Sequence, residues 1–165
     1  MPLIEVLNPV KRAIDSRKQR HKKGQPVGYN DVKDYLDSLI SCIDRTGVTG
    51  VVLYGSIARG KGRKGSDIDL LFISENKSRT NQEVWQSKYN VPYMSFGDFL
   101  KNRRLDISTI NEKVVGLYEL DEPGNKAFAY NIADDGVVLY DVDGQTRKYL
   151  DRLKSEPHEK DWLVP

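Results

Sequence analysis

Apolar residues recur at three- and four-residue steps at Val32, Tyr35, Leu36, Leu39, Ile40 and Ile43, which predicts an amphipathic helix capped by Asn30 and stopped near Gly47. The pattern then changes period. Val51-Val52-Leu53-Tyr54 is a short apolar run between Gly50 and Gly55, too brief for a helix and suited to a central strand. A second strand follows Asp67-Ile68-Asp69 through Leu70, Leu71, Phe72 and Ile73. Residues 74–88 are polar, with Val84 and Trp85 as their large apolar members, and predict a loop with a short helix. Residues 89–96 and 104–110 both read as strands, joined as a hairpin whose loop holds a turn of helix. A helix over 126–132, a break at Gly136, a strand over 137–140 and an amphipathic helix over 145–154 close the pattern.

The two ends differ from this body. Asn8-Pro9 is a helix-start signal, and the basic run KRAIDSRKQRHKKG follows until Gly24-Gln25-Pro26. Such a segment reads either as a solvated helix touching the body through Val10 and Ile14, or as a surface for phosphate, RNA or an acidic partner. His21 and, in the polar tail, His158 read as surface residues. The expected organisation is a basic N-terminal extension over 1–29, one domain over 30–155 and a tail over 156–165 that ends in Trp162-Leu163-Val164.

A chain of 165 residues is large enough to bury a core without disulfides or a structural metal. The single cysteine, Cys42, falls in the first helical pattern, where a small buried thiol is expected, and no Cys/His spacing suggests zinc. The net charge of +2 is too small to point to nucleic acid by itself. No long apolar run suggests a signal peptide or a membrane span, so a soluble, cytoplasmic protein is expected.

The stretch 51–73, VVLYGSIARGKGRKGSDIDLLFI, concentrates the chemistry. Alternation along a strand places Asp67 and Asp69 on one face. Their repulsion is about 2 to 3 kcal/mol even at an intermediate dielectric, and a divalent cation is the simplest compensation. All-oxygen ligands with room for phosphate favour magnesium, or manganese in its place, so the site should take a metal-nucleotide. Gly55 lets the backbone approach closely, Ser56 and the following helix start offer donors to phosphate, and Lys61, Arg63 and Lys64 add positive charge. Each piece alone also fits a glycine turn with a solvated basic loop and two capping aspartates.

Residues 55–61 match the first seven positions of a P-loop, GxxxxGK. Gly62 stands where a P-loop needs the Ser or Thr that ligates magnesium, and Gly62 with Gly65 would interrupt the long helix that must follow. A P-loop is therefore rejected.

Gly55-Ser56 followed after ten residues by Asp67-Ile68-Asp69, in the fuller form GSIARG…SDIDLL, resembles the DNA polymerase β-like nucleotidyltransferase superfamily, above all its minimal nucleotidyltransferases. NIADDGVVLYD, residues 131–141, is similar to that family's last strand. The resemblance implies an α/β fold: a single domain with a small mixed sheet and helices packed on one face. It implies a third carboxylate on a later strand, assigned to Asp106 within RLDISTIN, with Asp98 in reserve. Asp67, Asp69 and Asp106 would then hold two magnesium ions, while Gly55, Ser56, Arg59 and Lys61 meet the nucleotide. Arg59 could instead brace a carboxylate.

The activity implied is transfer of NMP, with ATP preferred, to a hydroxyl of a protein or RNA. Some relatives act as antitoxins that adenylylate a helical partner protein. The alternatives are an antibiotic nucleotidyltransferase needing a partner chain, and an inactive nucleotide- or nucleic-acid-binding module of the same fold.

Overall fold

The computed structural model describes residues 20–42, 45, 47–75 and 95–158. Helix α1 (Tyr29–Cys42) turns Val32, Tyr35, Leu36, Leu39 and Ile40 inward, the stripe that its sequence periodicity predicts. Strand β1 (Val48–Tyr54) is buried along most of its length and runs into a single helical turn, α2 (Gly55–Ala58). The loop beyond it leads to β2 (Ile68–Ser74). Then come α3 (Phe96–Arg103), β3 (Ile110–Val115), the short α4 (Leu117–Leu120), α5 (Lys126–Asp135), β4 (Val137–Asp141) and α6 (Gln145–Ser155).

The four strands form one mixed sheet in the order β3-β2-β1-β4. β1 is antiparallel to both β2 and β4, whereas β3 lies parallel to β2. Val51, Leu53, Ile68, Leu70 and Phe72 face one core with α1 and α3. Val52, Leu71 and Ile73 face a second core with α5 and α6. Because neighbours along a strand alternate faces, helices cover both sides of the sheet, and the expectation of one-sided packing is corrected. The physical reason is that β1 and β2 carry apolar residues on both faces, Val51 and Leu53 on one and Val52 on the other in β1, Leu70 and Phe72 against Leu71 and Ile73 in β2, as a doubly covered sheet requires.

Residues 89–94 lie outside the described residues, as do 1–19, Val84, Trp85 and 159–165. Ser95 caps α3 by accepting a hydrogen bond from the Asp98 backbone N–H at 3.1 Å, so Phe96 opens a helix rather than ending a strand. The strand expected over 104–110 is also corrected: it begins only at Ile110. Leu105, Ile107 and Ile110 all enter the same core, which a strict two-residue alternation would forbid, so the chain is irregular between them.

Three further expectations change. Cys42, the last residue of α1, is exposed rather than buried. The ring of His21 bridges Asp31 at 3.1 Å and the Gln25 carbonyl at 2.8 Å, which ties the N-terminal segment to α1. His158 stacks on Tyr130 with ring centres 4.3 Å apart and meets the Asp134 carboxylate at 2.9 Å, so it fastens the segment just after α6 to α5. No described helix is long and apolar enough to cross a membrane.

Candidate active site

The site grows from the β1-β2 pair. Tyr54 is opposite Asp69 in the antiparallel register, so the end of β1 delivers Gly55 directly beside the Asp69 side chain. Gly55 has φ of 81°, a left-handed conformation, and a Cβ there would overlap the Asp69 carboxylate. Both the turn and the close approach require glycine. The turn of α2 closes with the Arg59 N–H donating to the Gly55 carbonyl at 3.2 Å and the Lys61 N–H donating to the Ser56 carbonyl at 2.8 Å. One helical turn is all that follows Gly55, unlike the long helix of a P-loop.

Gly62 has a different task. It forms an isolated β-bridge with Val27, with hydrogen bonds of 2.8 and 2.9 Å in the two directions. A Cβ on it would press on Ile57 and on the Val27 carbonyl. The glycine loop is thus strapped to the N-terminal segment, and Gly62 serves packing rather than phosphate.

Asp67 and Asp69 are half-buried at the start of β2. Burial raises the pKa of Asp69 above its ordinary value, and the Asp67 charge raises it further; an Asn111 hydrogen bond and the nearby Arg59 charge oppose the rise. Two crowded carboxylates beside a glycine cradle suit a hard divalent cation bound jointly with phosphate oxygens. Arg59 is therefore placed to act on Asp69. Tyr54 lines the same neighbourhood, its hydroxyl pushed up to about 12 by burial and by the Asp69 charge.

The third position departs from the expectation. In the parallel register Asp69 is opposite Asn111, whose amide donates to the Asp69 carboxylate at 3.2 Å. The Thr109 N–H donates to Asp67 at 3.3 Å. Asp106 lies earlier, opposite Gly65, where its carbonyl accepts the Gly65 N–H at 2.9 Å, and it is exposed, lining a groove together with Arg63, Lys64 and Arg104. Among the described residues no third His, Cys, Asp or Glu joins Asp67 and Asp69 as a metal-binding group. Asp98 sits in the first turn of α3, as a capping residue would.

Asn111 is the residue that sequence reasoning missed. Its only available signal was its place one residue into β3, which depends on where that strand begins.

Among curated proteins none matches the chain significantly. Solved structures similar to it include a toxin-antitoxin complex with AMP-PNP, at 12% identity over 78% of this chain and 86% of that chain, with a TM-score of 0.42. Another is a tri-AMPylated Shewanella oneidensis HEPN toxin in complex with MNT antitoxin, at 10% identity over 76% and 82% of the two chains, with a TM-score of 0.38. Overlaps this loose carry no functional argument. The sequence match is different in kind, because residues 36–161 fit the nucleotidyltransferase domain and span α1 through α6, with the turn and both aspartates inside. The chain belongs to the nucleotidyltransferase domain family, a family of enzymes.

Proposed function

We propose that the chain binds a magnesium-nucleoside triphosphate, ATP by preference, and transfers its NMP to a hydroxyl of another macromolecule. The observation that carries this reading is the Asp67-Asp69 pair set against the Gly55 turn by the register of β1 and β2. Asp67 and Asp69 would hold magnesium, and manganese could replace it, with one or two ions shared with the phosphates. When bound, the metal neutralises the phosphates and stabilises the attacking and leaving oxygens.

The chain's own groups do the rest. Ser56 and the N–H groups of its turn offer donors to the phosphates, and Lys61 and Arg59 supply positive charge at the rim. Asn111 holds Asp69 in place from the neighbouring strand. Asp106, whose carbonyl pairs with Gly65 in the same loop, would orient the acceptor hydroxyl. The acceptor oxygen attacks the α-phosphorus, and pyrophosphate leaves with the electron pair of the broken bond.

The test is incubation of the protein with magnesium and α-labelled NTPs, with and without cell extract. Label should pass to a macromolecule from ATP and be lost in the Asp67→Asn/Asp69→Asn double variant. Label that persists in that variant would sink the mechanism. Tight magnesium-ATP binding with no transfer to any acceptor would make the chain a binding module instead.

A further inference from the structure

Beside the site runs a groove of about 1160 Å³ whose walls come from three separate segments: residues 20–27, the loop 62–64, and the turn after α3 with Arg104 and Asp106. Backbone hydrogen bonds fasten those walls together. The His21 N–H donates to the Arg103 carbonyl at 2.8 Å, Val27 pairs with Gly62, and Gly65 bonds to Asp106. The groove is therefore preorganised rather than a gap between loose loops.

Its lining is strongly basic. Arg20, Lys22, Lys23, Arg63, Lys64 and Arg104 surround it, all exposed, against the single carboxylate of Asp106. Among the described residues none of these six side chains is ion-paired. A net charge of +2 for the whole chain makes this a local concentration, not a general property of the surface. The loop that supplies Arg63 and Lys64 continues within three residues to Asp67, and Gly65, between them, bonds to the Asp106 carbonyl of the groove wall.

We infer that this groove holds the phosphodiester backbone of a single-stranded nucleic acid and presents its terminal hydroxyl to the Asp67-Asp69 site. The inference rests on the transfer reading above for the second half only. Guanidinium forks and ammonium groups suit phosphate oxygens, and their counterions are released on binding. Among the described lining residues the apolar side chains are Pro26 and the buried Val27, and the one aromatic ring, His21, is held by Asp31 and the Gln25 carbonyl. With one ring, itself hydrogen-bonded within the wall, among six cations, the lining favours a polyanion's charges over recognition of bases by stacking. Binding is thus to backbone and tolerant of sequence. In the transfer, the terminal hydroxyl oxygen bonds to the α-phosphorus, its proton passes to water, and the α-β bridging bond breaks with release of pyrophosphate.

The test uses the full chain and fluorescence anisotropy with end-labelled oligouridylate and oligothymidylate of equal length, and with an oligoglutamate of equal charge. Both nucleic acids should bind, with affinity falling steeply as salt rises; the peptide should bind more weakly. Arg63→Ala/Lys64→Ala/Arg104→Ala should weaken strand binding about ten-fold or more and lower the log-log salt slope by about 2, since each single-strand phosphate contact contributes roughly 0.7. Lys22→Ala/Lys23→Ala, on the wall from the N-terminal segment, should act in the same direction while leaving magnesium-ATP binding unchanged.

Unchanged strand binding in both variants, or equal affinity for oligoglutamate, overturns the assignment. RNA labelled in preference to DNA by α-labelled ATP would identify RNA as the acceptor. Failure to label any acceptor, with strand binding intact, overturns the transfer reading and leaves the groove standing. Label reaching protein acceptors only, with no strand bound, overturns the groove.

Discussion

At the scale of single residues, Asp69 is where folding and function pull apart. Its folded pKa is raised above the ordinary 3.8, first by burial, so it holds more protons folded than unfolded in the window just above that value. Stability therefore falls as pH rises through the folded pKa, and the penalty persists at neutral pH. Asp69→Asn should remove that pH dependence and melt at a higher temperature than wild type at pH 7 without nucleotide, while losing magnesium-ATP binding. Thermal melts across pH 4 to 8 on both proteins check the sign. Asn111 gives the complementary experiment, because it stands opposite Asp69 and its amide donates to that carboxylate. Asn111→Asp should cost about 1 to 2 kcal/mol without metal, through a lost hydrogen bond and added repulsion, and this cost should shrink with magnesium. The same change should raise the transfer rate about ten-fold or more, measured by single-turnover labelling.

At the scale of elements, α3 matters because the chain leaving it carries the groove and then Asn111. Phe99 fixes α3 to α1 by stacking on Tyr35 with ring centres 4.8 Å apart, and Phe96 adds a tilted contact at 5.3 Å. Arg103, 2% exposed, reaches Asp34 at 3.3 Å and lies over the Phe99 ring. Phe99→Ala should cost about 3 to 5 kcal/mol, read from chemical denaturation, because it removes a fully buried ring that packs against both Tyr35 and Arg103. The same melts would show whether β3 is lost with it. The β1-turn-β2 unit depends on different contacts, and there Gly55→Ala is the informative change. A methyl group at φ of 81° overlaps the Asp69 carboxylate, so nucleotide binding should fall about ten-fold or more, measured by magnesium-ATP titration, through backbone strain and a displaced ligand.

At the scale of the whole molecule, nucleotide binding should couple to stability across both cores, because β1 and β2 are shared between them. Magnesium-ATP at one hundred times its Kd should add about 2.7 kcal/mol to the unfolding free energy; ATP with a chelator should add far less. Differential scanning with each component alone checks the dependence on metal. Helices α1, α5 and α6, strands β1, β2 and β4 and the central motif were legible along the chain because they rest on local rules. Apolar periodicity marked α1 and α6, flanking glycines marked β1, and alternation put Asp67 and Asp69 together.

The covering of both sheet faces and the burial of His21 and His158 were not legible in this way. Each depends on a partner distant in sequence: Asp31 and the Gln25 carbonyl for one ring, Asp134 and Tyr130 for the other. The Leu105-Asp106-Ile107 alternation was real, yet it belonged to an extended segment beside the glycine loop and not to a strand. By itself the sequence determined that a glycine turn and two aspartates come together, since three covalently linked elements leave little freedom. Only the tertiary structure decided what stands across from Asp69. A parallel pairing between strands some forty residues apart is set by packing of the whole sheet, and a change of start from residue 104 to Ile110 replaces an acid with the amide of Asn111.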